Sequence, residues 1–405
     1  MKALVLCGGK PQIALIHELK RRNITAILAD ANDKAAAVQY ADVFYKVSTL
    51  DVVGIEKIAL AEKVDFILSV CADQMLLVAA QLSEKLNLPC YIDYETAKNV
   101  SSKEYMKRIF VENNIPTAKY IVGSSISLSV IGELNFPLIV KPVDCYSSRG
   151  VKKVLNYDEL LSAFENAKNL SRTETVIVEE FVDGLELSVD IYVENGKVNI
   201  LCIRSLDKIP NSEKFIICRG NYPAKISLAT KGRVQDVAQK IVEAFGLVDT
   251  PMLIQMKIND EQIHILEFCA RTGGGIKYRL LPKVCGFDVV KAVLDLTLGE
   301  KPHVAMKPLN TFIVDEFLYC NPGILDHTEG FEELLKNGVI DHYEIYKSAG
   351  YQFDEINSSG DRVAYFSVVA DTEAELRRKH QIAASVVKAV DNKGKDLIRH
   401  DIINI

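Results

Sequence analysis

The chain has 405 residues, 48% hydrophobic and 25% charged, which is ordinary globular composition with room for two to four domains of roughly 100–200 residues. Its net charge of −6, with no basic stripe, argues against a nucleic-acid partner. Nine cysteines at wide spacings, without a C-x-x-C pair, exclude a disulfide framework and a zinc site and lead us to expect a reduced, cytoplasmic protein. The longest apolar run, 66–82, is broken by Asp73 and Gln74, so no membrane span is expected. The apolar stretch before Cys7 is too short for a lipoprotein signal.

In the first ~95 residues, short apolar runs at 3–7, 25–29 and 65–70 alternate with helical patterns at 13–22 and 54–63. Strands buried on both faces and separated by helices read as parallel βαβ units, a small doubly wound domain. The first turn, Cys7-Gly8-Gly9-Lys10-Pro11, lacks the G-x-G-x-x-G spacing of a dinucleotide fingerprint. Two readings stay open for it: a tight turn starting a helix, or backbone N–H groups holding an anionic substrate group. Asp30 and Asp73 follow the second and third of these strands, where such folds bind ligands.

Ser101-Ser102-Lys103-Glu104 has capping-box spacing, with Ser101 as the expected cap of a helix reaching about 113. Lys141 ends an apolar strand, and Ser147, Ser148, Arg149 and Gly150 follow; a Lys beside small residues suits phosphate, although no Walker A pattern exists. A helix is expected over 157–168 and a strand over 175–182. The strand runs into Glu179, Glu180, Val182 and Glu186, either a plain strand exit or a nucleotide hinge. A hairpin over 186–204, a helix over 232–245 and strands at 252–258 and 262–268 come next. The second of those strands ends in Glu267-Phe-Cys269-Ala-Arg271-Thr-Gly-Gly-Gly275, with Gln255 on the first. A three-residue turn (260–262) would set Gln255 opposite Glu267, whereas a two- or four-residue turn would need a bulge to do so. Oxygen ligands on adjacent strands are what Mg²⁺ takes when it also binds phosphate. The last ~100 residues show helices at 331–336 and 372–390 and no motif that can be read.

In this order, the elements resemble the ATP-grasp superfamily over roughly residues 1–300. The C-terminal part looks more loosely like the third domain of the amino-acid ligase branch. The resemblance implies an N-terminal Rossmann-like parallel α/β domain (1–98) and a two-lobed α+β ATP-grasp body (99–305, lid lobe about 116–182). A C-terminal α+β domain (306–405) would complete the chain. By resemblance, Lys103 and Lys141 contact the phosphates of ATP and Ser147, Ser148 and Gly150 belong to the lid loop. Glu179, Glu180 and Val182 hold adenine, with Leu266 packing there, and Glu186 takes the ribose. Glu267 and Gln255 hold Mg²⁺, and Arg271, with Lys141, stabilises the transferring phosphoryl group. The implied activity is an ADP-forming carbon–nitrogen ligase that joins a small carboxylic acid to an amine through an acyl phosphate. Arg219, Lys277 and Arg279 are candidates for a substrate carboxylate, a solvent-facing role being nearly as good a reading. A homodimer is the oligomer the resemblance suggests.

Two positions depart from the pattern. Gln255 stands where a second acidic metal ligand is common, and Cys269 where Asn is common, so one formal charge is missing. Asp190 or Asp207 could replace it. Two alternatives remain: a nucleotide-binding module without catalysis, or an enzyme that activates bicarbonate or a purine precursor.

Overall fold

A computed structural model describes residues 1–125, 131–145, 149–210, 212, 214–259, 261–307 and 310–403. Its first sheet is parallel and four-stranded, in the order Val43–Lys46, Thr25–Asp30, Lys2–Leu6, Phe66–Leu68. Both faces are covered. Ala3, Val5, Ala26 and Leu28 pack on Leu15, Ile16 and Leu19 of helix Lys10–Arg21. Leu4, Leu6, Ile27 and Ala29 pack on Ile55 and Ala59 of helix Val52–Glu62 and on Met75 and Leu82 of helix Asp73–Leu86. This double burial is why the strands read as continuous apolar runs. The first strand stops at Leu6, since Cys7 turns left-handed at φ 62°. The edge strand Val43–Lys46 was not expected; it is half-buried and carries no apolar run to announce it.

Two short helices follow, Tyr94–Ser101 and Lys103–Glu112. The expected cap shifts by one residue. Ser102, not Ser101, accepts from the Tyr105 N–H, because Ser101 still belongs to the preceding helix and donates to the Ala97 carbonyl. A second four-stranded sheet, antiparallel, runs in the order Tyr120–Gly123, Val176–Glu180, Leu138–Pro142, Lys152–Val154. Val140 pairs with Val178 and both face helix Tyr157–Leu170, so Lys141 and Glu179 project together from the other face.

The largest sheet has eight antiparallel strands. Their order is Gln262–Cys269, Thr250–Asn259, Leu185–Glu194, Lys197–Lys208, Ile217–Tyr222, Phe312–Leu318, Ala364–Ala370 and His342–Ile345. Strands from both sides of residue 306 therefore bond into one sheet. Helix Leu228–Ala244 and the Phe110, Phe245 and Phe268 rings fill one side of it. A three-stranded sheet, Gln352–Phe353, Gly323–Glu329 and Lys388–Asp391, completes the chain's C-terminal part. The helix expected over 372–390 stops at Val386 and Lys388–Asp391 is a strand; the β-branched run Val386, Val387 and Val390 favours that exchange.

Phe110 is fully buried, 6.2 Å from the Phe245 ring and 6.0 Å from the Phe268 ring, beside the strand that carries Glu267. Phe110→Ala should cost about 3–5 kcal/mol, read as a lower urea midpoint at unchanged m-value.

Candidate functional site

A cavity of about 430 Å³ lies between the four-stranded antiparallel sheet, the Lys103–Glu112 helix and one face of the eight-stranded sheet. The register of that sheet explains its lining. Glu267 pairs with Gln255, Gln255 with Ser188, and Ser188 with Arg204, so four polar side chains stand in one row on the cavity side. The Gln255–Glu267 match is reached by the bulge route. Asn259 pairs with Gln262, and Leu266 is the extra residue, since Met256 pairs with Ile265 while Gln255 pairs with Glu267. Leu266 itself lines the cavity.

Among the described lining residues, nine basic side chains face five acidic ones, a surplus that suits an anionic ligand. The acids hold several of these cations. Lys141 donates to Glu179 at 2.5 Å, and Lys107, four residues beyond Lys103 on its helix, reaches the other Glu179 oxygen at 2.7 Å. Burial works against a charge on Glu179, but the two ammonium groups prevail and hold its carboxyl at about 2. Lys103 donates to the Cys145 carbonyl at 2.7 Å and lies 3.5 Å from Glu267. Glu267 keeps 42% of its side-chain surface open to the cavity. Burial disfavours its charge too, yet Lys103 and Lys141 set its carboxyl below the usual range, so it is ionised at neutral pH. Glu186 pairs with Lys208 at 2.8 Å. Glu180 accepts from the Asn135 amide and side chain. The Glu180 and Phe181 N–H groups donate to the Lys119 and Pro137 carbonyls, whereas the Val182 N–H finds no acceptor among the described residues.

Arg271 is buried. Its Nη1 donates to the Thr272 carbonyl, and its Nε donates at 2.7 Å to Asp73, the first residue of its helix, which ties the end of the Glu267 strand to the helix packed on the parallel sheet. Cys269 lies one row along from Glu267, and burial pushes its thiol up to about 12, so it brings no negative charge.

Several expected residues sit elsewhere. Ser147 and Ser148 lie outside the described residues. Gly150, at φ 76°, is packed against Pro142 and Leu170 while its neighbours Arg149 and Val151 line the cavity. Arg219 does not face the cavity, because it alternates with Gly220 along its strand. It points through the opposite face to Glu316 at 2.6 Å and to the Ile403 carbonyl. Arg279 is absent from the lining; two residues after Lys277 on a helix, it points the other way. Lys277 does line the cavity, but Asp190 and Ser188 hold its ammonium. Neither Asp190 nor Asp207 compensates for Gln255. Asp190 pairs with Lys277, and Asp207 faces away with Asn221 at 3.0 Å. At the glycine turn, Asp30 accepts from the Gly8 N–H at 2.6 Å, so the protein's own carboxylate occupies the place of an anion.

The sequence reading missed Lys107, Ser188, Arg204, Lys208 and Lys257. Their signal was present: period-two polar positions at 186, 188 and 190, two basic residues at 204 and 208 on the facing strand of the same hairpin, and an i,i+4 lysine pair.

Residues 134–279 match the ATP-grasp domain and residues 316–390 the L-amino acid ligase C-terminal domain 2. The phosphoribosylamine–glycine ligase of Lactococcus lactis subsp. lactis is 24% identical over 344 residues, covering 78% of this chain and 78% of that protein. The L-amino acid ligase from Bacillus licheniformis shares the fold, with a TM-score of 0.84 at 17% identity over 96% of this chain and 98% of that one. So does the biotin carboxylase domain of the Hydrogenobacter thermophilus 2-oxoglutarate carboxylase, crystallised with MgADP, ADP and bicarbonate. Its TM-score is 0.76 at 16% identity, over 99% and 92% of the two chains.

Glu179→Gln leaves two buried lysines without their counter-charge and should cost about 3–5 kcal/mol at pH 7. The native carboxyl at about 2 lies below its unfolded value of ~4.3, so its contribution is complete above ~pH 4.3 and is lost as pH falls towards 2. Urea unfolding of variant and parent should therefore differ most at neutral pH and converge below ~pH 4.

Proposed function

Because the chain carries an ATP-grasp domain followed by an L-amino acid ligase C-terminal domain, we propose that it is an ATP-dependent carboxylate–amine ligase releasing ADP and phosphate. The observation that carries this reading is the row Glu267–Gln255–Ser188–Arg204 beneath a cleft whose basic residues outnumber its acidic ones. The three-part division near residues 98 and 305 belongs to the same proposal.

The chemistry asks for positioning and charge neutralisation more than for a strong base. An incoming triphosphate takes Lys103 from the Cys145 carbonyl and Lys141 from Glu179, while Lys107 keeps Glu179 paired. The Val182 N–H and the Leu266 side chain receive the adenine, and Glu186 exchanges Lys208 for ribose hydroxyls. One carboxylate oxygen of the acid attacks the γ-phosphorus in line, and the bond to the ADP oxygen breaks. The amine then attacks the acyl carbon, phosphate departs with that same oxygen, and the amine's proton is lost to solvent. Arg271 and Lys141 face the charge that builds on the transferring group.

The residues also fit Mg²⁺. Glu267 is ionised and open to the cavity, and the Gln255 amide has no hydrogen-bond partner among the described residues. One carboxylate and one amide oxygen, completed by phosphate oxygens and water, are an ordinary Mg²⁺ set. Bound there, the ion would neutralise phosphate charge.

Asp30 on the Gly8 N–H disfavours a phosphorylated substrate at the N-terminal turn, and so favours an amino acid over a phosphoribosyl acceptor. The missing second carboxylate favours a second reading, a module that binds nucleotide without turnover.

Phosphate release from ATP across amino acids and other small acids separates the two. Amino-acid-dependent release supports the ligase; ATP binding without turnover under every acid contradicts it. Lys141→Met should raise KM for ATP roughly 10–100-fold, the size of a lost charge-assisted hydrogen bond. Glu267→Ala should lower kcat by about 100-fold or more at saturating Mg²⁺.

A further inference from the structure

Arg204 closes the row beneath the cleft without a step of the chemistry assigned to it, and among the described residues it is the least committed buried cation of the cavity wall. It is 2% exposed. Its Nη2 donates to Asp315 at 2.5 Å, and its Nε is fully buried without a partner among the described residues. Its neighbours are spoken for. Arg271 is held through Asp73 and Thr272, and Lys277 through Asp190 and Ser188. Arg362 donates to Tyr319 and Ile217 while stacking on Phe317 at 3.8 Å.

The fold makes room for Arg204 on purpose. The guanidinium is packed against Gly220 on the adjacent strand, where an added Cβ would come 2.1 Å from Nη2. Asp315, on the strand beyond, fixes one edge of the fork and leaves the rest unused. Orphaned buried donors of this kind are rare and call for an acceptor that arrives from outside. Arg204 stands three strand spacings from Glu267 along the same row, about 14 Å between backbones. It lies at the opposite end of that row from Glu267.

Resting on the ligase reading, we propose that Arg204 binds a substrate carboxylate that is not phosphorylated, and so determines specificity. Two sources share this chemistry. One is the free carboxylate of an amino acid acting as nucleophile; the other is the second carboxylate of a dicarboxylic acid.

The test compares the parent with Arg204→Met in two arms. The first measures kcat/KM for an amino acid nucleophile against its carboxamide. The second compares a dicarboxylic acid with its half-amide. The parent should prefer the free carboxylate ~10–100-fold in one arm. Arg204→Met should reduce that preference to within about threefold, with KM for ATP changed less than about twofold. The arm that collapses names the source. Gly220→Ala displaces the guanidinium without removing its charge, and should weaken the same preference even if Arg204→Met fails to fold. A preference unchanged in both variants, or absent from the parent, overturns the assignment. ADP release with no acid–amine pair at all would sink the ligase reading, and this assignment with it.

Discussion

Glu179 forms an ion pair with Lys107 through one oxygen and accepts from Lys141 at the other, and the cleft is organised around that clamp. Lysines gathered for a triphosphate repel one another when no triphosphate is there. A buried carboxylate between two of them removes the conflict and at the same time fastens the four-stranded antiparallel sheet to the Lys103–Glu112 helix. The pair Arg271–Asp73 does the same between the end of the Glu267 strand and the helix Asp73–Leu86. The resting cleft is therefore closed by its own counter-ions, and a ligand works by exchange rather than by filling an empty positive hole. An exchange of this kind favours ligands with several anionic oxygens, since one alone would not repay the displaced carboxylates.

The strand pattern explains which residues can take part. Along an antiparallel sheet each side chain has one face, and a shift of one residue sends it through to the other side. Gly220 and Arg219 show the rule at its sharpest: the glycine gives up space for Arg204 in the cavity, while the arginine beside it becomes a strut to Glu316. The parallel sheet and the hairpin read at 186–204 were legible in the sequence, because each rests on local periodicity, whereas the match of Gln255 with Glu267 needed a bulge at Leu266 that no period announces. Arg219 and Arg279 were misplaced because composition near a motif says nothing about face. The clamp was invisible because Lys107 and Glu179 are 72 positions apart in the chain and meet only through the tertiary fold. Of the hinge residues expected at 179–182, the Glu179 and Glu180 carboxylates go to Lys141, Lys107 and Asn135 and the Glu180 N–H to the Lys119 carbonyl, which leaves the Val182 N–H as the open backbone group among the described residues.

The Glu267 end of the row, where the proposal puts the metal, carries less charge than the expected pattern. Cys269 stays a neutral thiol and Asp190 is spent on Lys277, so among the described residues Glu267 is the ionised carboxylate left there. A site of this kind depends on the phosphate oxygens for the rest of its charge, which couples metal affinity to nucleotide. The account rests on phosphoryl transfer to a carboxylate, and isotope transfer reads that step directly. With the acid labelled by ¹⁸O in its carboxylate, turnover with ATP and amine should place one label in each phosphate released. Phosphate carrying oxygen from water alone would mean that ATP is merely hydrolysed, and the ligase account would be wrong.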